Sequence, residues 1–161
     1  PVTRGGPGWW EPPQMSDVSK QAVVLARSWI GTPYRHQASC KGAGTDCLGL
    51  LRGVWRGLYG AEPEVVPAYS MDWAEPARDE VLWRAAMRHL QAKPRDDAAP
   101  GDVLLFRMRA GSVAKHLGLA GRGGAQPTFI HAYSGHAVVE SPLTAPWQRR
   151  IVARFAFPQE V

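Results

Sequence analysis

Apolar side chains along this chain are spaced in two different ways, and the change falls near Pro100. Before it they recur at three- and four-residue intervals; after it they come in short, nearly continuous runs. Ser16 stands as an N-cap ahead of a first helical pattern that places Ala22, Val23, Ala26, Trp29 and Ile30 on one face, with Gly31 and Pro33 to end it. Leu48, Leu51, Trp55 and Leu58, at spacings of three, four and three, predict the buried stripe of a second helix, with Asp46 as its cap and Gly60 as its stop. A third pattern over residues 76–91 turns Val81, Leu82, Ala85, Ala86 and Leu90 inward. A loop over residues 32–45 separates the first two helices, and a proline-punctuated extended segment over 61–71 separates the second from the third.

Behind the PGD turn at 100–102 the runs are VLLF at 103–106, HLGLA at 116–120, TFIHAY at 128–133, AVVE at 137–140 and RIVARFAF at 150–157. Helices first and strands afterwards predict an α+β domain, its N-terminal helices packed on a central antiparallel sheet. The first 14 residues, rich in Gly and Pro and carrying Trp9 and Trp10, read as an extension that docks on something else, leaving residues 15–161 as the folded domain. There is no internal repeat and no low-complexity tract.

Composition narrows the class. A chain of 161 residues, 45% apolar and 20% charged, suits one packed domain. No stretch approaches the roughly 18 to 20 apolar residues of a membrane span, and the N-terminal residues lack the apolar region of a secretory signal, so neither a span nor an export tag is expected. The net charge of +5 favours an anionic partner, but the basic residues (Arg52, Arg56, Arg107, Arg109, Arg149, Arg150) are scattered rather than gathered into a nucleic-acid arm. Cys40 and Cys47 are too few for a disulfide scaffold and leave three options: one local disulfide, two metal ligands, or one working thiol.

The position of Cys47 favours the third. It opens the second helix, where free amides and the helix dipole favour a negative group, so its thiol is expected to gain thiolate character. His116 and His131 lie in adjacent strand runs joined by GRGGAQP, in which Gly123-Gly124 can form a two-residue turn. That turn sets His116 directly opposite His131 on one side of the sheet. If this face packs on the tip of the Cys47 helix, one imidazole reaches the sulfur and the other holds its tautomer, a nucleophile, base and orienting group. A zinc module built from Cys40, Cys47 and the histidines is disfavoured, because six residues separate the cysteines where paired ligands usually stand two to four apart. Neither a metal nor a cofactor is expected.

The ordered set ARSWIGTPYRHQASCKGAGTDCLGLLRGVW, PGDVLLF, KHLGLA and FIHAY, spanning residues 18–157, resembles the NlpC-type papain-like cell-wall peptidases, and in particular their branch found in the tails of phages and gene-transfer agents. The resemblance implies a papain-like α+β fold and hydrolysis of peptidoglycan stem peptides, commonly between γ-D-glutamate and a diamino acid. By position it makes Cys47 the nucleophile, His116 the general base and His131 the orienting residue. Tyr34 matches a tyrosine that lines the family's site, Asp46 an acidic residue that contacts the stem peptide's amine, and His36 falls on the cleft wall. It further implies a particle made in the bacterial cytoplasm, with the enzyme at a tail tip, held by hub or baseplate proteins and acting in the periplasm or wall. The rivals are a structural tail adaptor that keeps the fold and docks through Trp9, Trp10, Trp73 and Trp147, and an amidase or acyltransferase using the same residues.

Overall fold

In the computed structural model, residues 16–66, 69 and 80–160 are described. The extension at 1–14, Met15, Trp73 and the first residues of the third helical pattern, 76–79, lie outside them. Ser16 accepts the Ser19 N–H at 3.1 Å and opens α1 (Asp17–Ser28), which buries Ala22, Val23 and Ala26. Ile30, expected on the same face, is 46% exposed, because the helix ends before it and the chain turns at Gly31, φ +90°. The loop that follows contains a small unexpected hairpin, β1 (Ser39–Cys40) against β2 (Gly44–Thr45), and Tyr34 bridges to Thr45 beside it.

The central helix is α2 (Cys47–Tyr59), with Asp46 as its cap: Oδ1 accepts the Gly49 N–H at 2.7 Å. Its innermost side chains are Leu50, Val54 and Trp55, whereas Leu48, Leu51 and Leu58 are only half-buried at the core's margin. The predicted stripe is therefore rotated, and the glycines explain why. A Cβ on Gly53 would stand 2.0 Å from the Trp29 ring and one on Gly49 would stand 1.9 Å from the Ala38 carbonyl, so α2 turns its bare backbone to its neighbours at both places. Counting apolar side chains overlooks that surface.

α3 (Val81–His89) buries Leu82 and Ala86 and stops two residues short of the expected end, because Gln91 already belongs to a strand. The sheet runs in the order β3 (Gln91–Lys93), β8 (Ile151–Ala156), β4 (Val103–Phe106), β5 (His116–Ala120), β6 (Thr128–Ala132) and β7 (Val138–Pro142), antiparallel throughout. A short helix missed in the sequence, α4 (Ala145–Arg150), precedes β8. One face carries Val103, Leu105, Leu117, Leu119 and Ile130 into the core shared with α1 and α2. The other holds Leu104, Phe106, Phe129 and Ile151 in a second, smaller core with Trp147 of α4. Strands covered on both faces read as continuous apolar runs, which is why VLLF has no polar alternation.

The β5–β6 register differs from the predicted one. Leu119 pairs with Ile130 and Ala120 with Phe129, and the connection spans seven residues, 121–127, rather than a two-residue turn at Gly123-Gly124. Arg122 closes this wider loop through its N–H, which the Thr128 hydroxyl accepts at 2.8 Å. The slide is two residues, one full side-chain period, so His116 and His131 become diagonal neighbours yet keep a common face.

Candidate active site

Cys47 is the first residue of α2, and its thiol donates to the Lys115 carbonyl at 3.8 Å, immediately before the strand that His116 begins. The approach is not the one expected from sequence. His116 and His131 project to the face with Phe106, Phe129 and Trp147, whereas α2 packs on the opposite face. Thiol and imidazole come to one cavity at the end of the sheet, where the helix tip reaches the start of β5. There Cys47, His116, Tyr34, His36, Asp46 and Tyr69 help line a cavity of about 150 Å³.

His116 Nε2 lies 3.0 Å from His131 Nδ1, and His131 Nε2 lies 3.1 Å from the Ser141 hydroxyl. His116 Nδ1 is thus the ring nitrogen that His131 leaves free. Phe129 stacks on His131 with ring centroids 4.1 Å apart, and Trp147 lies 5.8 Å from the His116 ring. This aromatic enclosure makes a charged ring costly. Burial, followed by the neighbouring His131, pushes His116 down to about 3; burial, followed by the charge of His136, pushes His131 down to about 4. Both imidazoles are neutral near pH 7.

The thiol is perturbed against the sequence expectation. Burial, then the Asp46 carboxylate, raises Cys47 to about 12, while the backbone amides of Leu117, Leu48 and Cys47 pull the other way. The helix terminus acts in the anticipated direction, but burial outweighs it, and the resting thiol is protonated.

Asp46 is 2% exposed and heavily used: besides capping Gly49 it accepts the Gln37 N–H at 2.8 Å and the Tyr69 hydroxyl. Tyr34 is raised to about 12 by burial and then by the charges of Cys47 and Asp46, which keeps its phenol protonated. His36 has Nε2 2.7 Å from the Tyr69 carbonyl and Nδ1 3.9 Å from the Asp46 carboxylate. All six candidate residues are thereby accounted for: Cys47, His116, Tyr34, Asp46 and His36 share the cavity, and His131 stands behind His116. Cys40 is an exposed free thiol on β1, so it forms no disulfide with Cys47. Among the described residues no group of three His, Cys, Asp or Glu side chains could hold a metal ion, and no helix is long and apolar enough to cross a membrane.

Sequence reasoning missed Tyr69 and Ser141, and Trp147, read as a docking aromatic, instead packs against Phe106, Phe129 and the two histidine rings. Tyr69 sits in the segment read only as extended. Its hydroxyl donates to Asp46, and burial and that bond hold its pKa above the ordinary phenol value. Ser141 shares the His131 face, but it lies one residue beyond the run AVVE at 137–140 that the sequence pattern marks as the strand.

Helices on an antiparallel sheet, with a thiol at the tip of the central helix and a paired imidazole at a strand's start, constitute the papain-like fold of NlpC-type proteins. Residues 31–155 match the NlpC/P60 family, and the chain belongs to it. Solved structures of the same fold include an NLP/P60 family protein of Staphylococcus aureus described as similar to lipoprotein, with 18% identity, a TM-score of 0.61 and coverage of 94% of this chain. NlpC1 and NlpC2 of Trichomonas vaginalis each show 19% identity, a TM-score of 0.60 and coverage of 92% of this chain. At these identities the likeness is one of fold. The chain spans 45%, 47% and 50% of those three proteins, respectively. Among curated proteins the comparison finds no match. Members of the family are in general cysteine peptidases or amidases.

Proposed function

We propose that the protein is a cysteine peptidase that hydrolyses peptidoglycan stem peptides at the γ-D-glutamyl–diamino acid bond, and that it works at the tip of a phage-like or gene-transfer-agent tail to open the wall during DNA delivery. One observation carries the chemistry: Cys47 and His116 line one cavity, with His116 backed by His131 at 3.0 Å. Because thiol and imidazole are both neutral at rest, the proton moves as the sulfur attacks. Cys47 Sγ bonds to the scissile carbonyl carbon while its proton passes to His116 Nδ1, and the Cys47 N–H at the helix tip stabilises the oxyanion. His116 then gives that proton to the leaving amine as the C–N bond breaks, accepts another from water, and the hydroxide so formed adds to the acyl carbon, breaking the C–S bond as His116 returns the proton to Cys47 Sγ. Tyr34, Asp46 and His36 form the wall against which the stem peptide rests, and the buried carboxylate of Asp46 attracts its amine electrostatically.

Residues 1–14 are the mount on hub or baseplate proteins in this reading, and the particle is assembled in the bacterial cytoplasm to act in the periplasm or wall. Cys47→Ala and His116→Ala are each expected to abolish solubilisation of purified murein while circular dichroism stays native; digestion by the Cys47→Ala protein would refute the assignment. Mass analysis of released fragments identifies the bond and separates hydrolysis from acyl transfer. Removal of residues 1–14 is expected to spare murein digestion and lower incorporation into particles; undiminished incorporation would remove the mount.

A further inference from the structure

We propose that Ser141 is a positioning residue of this site, which by accepting the His131 Nε2 proton fixes the tautomers of both histidines and leaves His116 Nδ1 bare to receive the thiol proton; this rests on the thiol–imidazole reading above. The three groups form one chain, with His116 Nε2 and His131 Nδ1 3.0 Å apart and His131 Nε2 and Ser141 Oγ 3.1 Å apart. Each ring is buried and neutral, so each carries one proton for two nitrogens.

An amide carbonyl in place of His131 could only accept from His116. A neutral imidazole can donate or accept through Nδ1, so a pair of histidines has two hydrogen-bond directions, and their balance depends on the rings' own tautomer preference and on the partner that meets His131 Nε2. In one direction His116 Nε2–H donates to His131 Nδ1, His131 Nε2–H donates to Ser141 Oγ, and His116 Nδ1 presents a lone pair. In the other every proton is reversed, and His116 Nδ1–H cannot take a proton from sulfur. The first direction puts both rings in the Nε2–H form, the intrinsically favoured tautomer of an imidazole substituted next to Nδ1. Ser141 adds the acceptor that a buried N–H requires.

The sheet sets this geometry. On β7 Ser141 pairs with Phe129 and Val139 with His131, so Ser141 and His131 are diagonal neighbours on one face, while the stacked Phe129 ring fixes the plane of the imidazole.

The test is a two-bond ¹H–¹⁵N correlation spectrum of histidine-labelled protein at pH 7. Wild type is expected to show Nε2–H tautomers at both His116 and His131. Ser141→Ala is expected to move His131 toward a tautomer mixture, and Ser141→Thr to restore it. In parallel, Ser141→Ala should lower kcat for stem-peptide cleavage roughly 3- to 10-fold with KM unchanged, and Ser141→Thr should recover it. Nδ1–H tautomers in wild type, or nitrogen shifts untouched by Ser141→Ala, would overturn the proposal. The spectra decide the role of Ser141 whether or not the protein digests murein, so failure of the peptidase reading is a separate and recognisable result.

Discussion

Enclosing two neutral imidazoles makes the fold acid-sensitive in a window that the carboxylates do not share. His116 and His131 fall from 6.5 to about 3 and about 4 on folding, so between pH 6.5 and 4 the unfolded chain binds two protons that the folded one refuses. The sign follows directly: the stabilisation is complete above pH 6.5 and is lost as the pH falls toward the folded values. At pH 5 the cost is about 2 kcal/mol for each ring, or about 4 kcal/mol for the pair, against a typical total stability of about 5–15 kcal/mol. Glu62, Glu64 and Glu140, held below 4.5 by their arginine and histidine partners, begin to contribute only at lower pH. Urea unfolding at pH 7 and pH 5 reads the difference. With a slope of about 2 kcal/mol per molar, the midpoint should fall by roughly 2 M, and by roughly half as much in His131→Asn. A wild-type midpoint that does not move between pH 7 and 5, or a His131→Asn protein that loses as much as wild type, would refute the neutral-pair argument.

Two further expectations concern the thiol and the far end of the sheet. Because burial raises Cys47 to about 12 from 9.0, its iodoacetamide alkylation rate should keep climbing through pH 9, measured by peptide mass spectrometry; a plateau below pH 8 would show a preformed thiolate. Asp102 is 2% exposed and accepts from Lys93 at 3.0 Å, Arg154 at 2.9 Å and the Ala99 N–H at 2.9 Å, closing the PGD turn. Asp102→Ala leaves two cations facing each other and should cost about 3–5 kcal/mol, or roughly 10 °C in Tm; a drop under about 3 °C would show that the cluster relaxes into solvent.

What the sequence conveyed depended on how local each cause was. Ser16, Asp46 and Gly60 act within one turn of their own helices, and the structure puts all three at the ends where the sequence placed them. VLLF and HLGLA end at the predicted residues because burial on both faces leaves no ambiguity of period. The second helix was found but its buried stripe was misjudged, since Gly49 and Gly53 meet Ala38 and Trp29 through backbone rather than side chain. β3 could not be read from Gln91–Lys93, a strand only because Arg154, Phe155 and Ala156 arrive beside it from the other end of the chain. Tyr69 and Ser141 escaped for the same reason: each matters through a partner more than nine residues away, Asp46 in one case and His131 in the other.

The histidine pair shows which errors a strand tolerates. A one-residue slip would have sent His131 to the helix-covered face and dissolved the site; the actual two-residue slip changed direct opposition into a diagonal and kept both rings together. The thiol shows the opposite case. Its position at the helix tip was legible, but its charge state was not, because that depends on how far the fold buries the thiol, and burial outweighs the backbone amides that favour the thiolate. Burial favours the neutral thiol and the neutral imidazoles alike, so it suppresses the ion pair from both ends. In the proposed peptidase, charge separation would then be supported by what arrives with substrate, namely an oxyanion beside the Cys47 amide as the proton reaches His116. On that proposal the site holds its nucleophile in reserve, and the rate should follow how well the bound carbonyl replaces the solvation that the fold has removed.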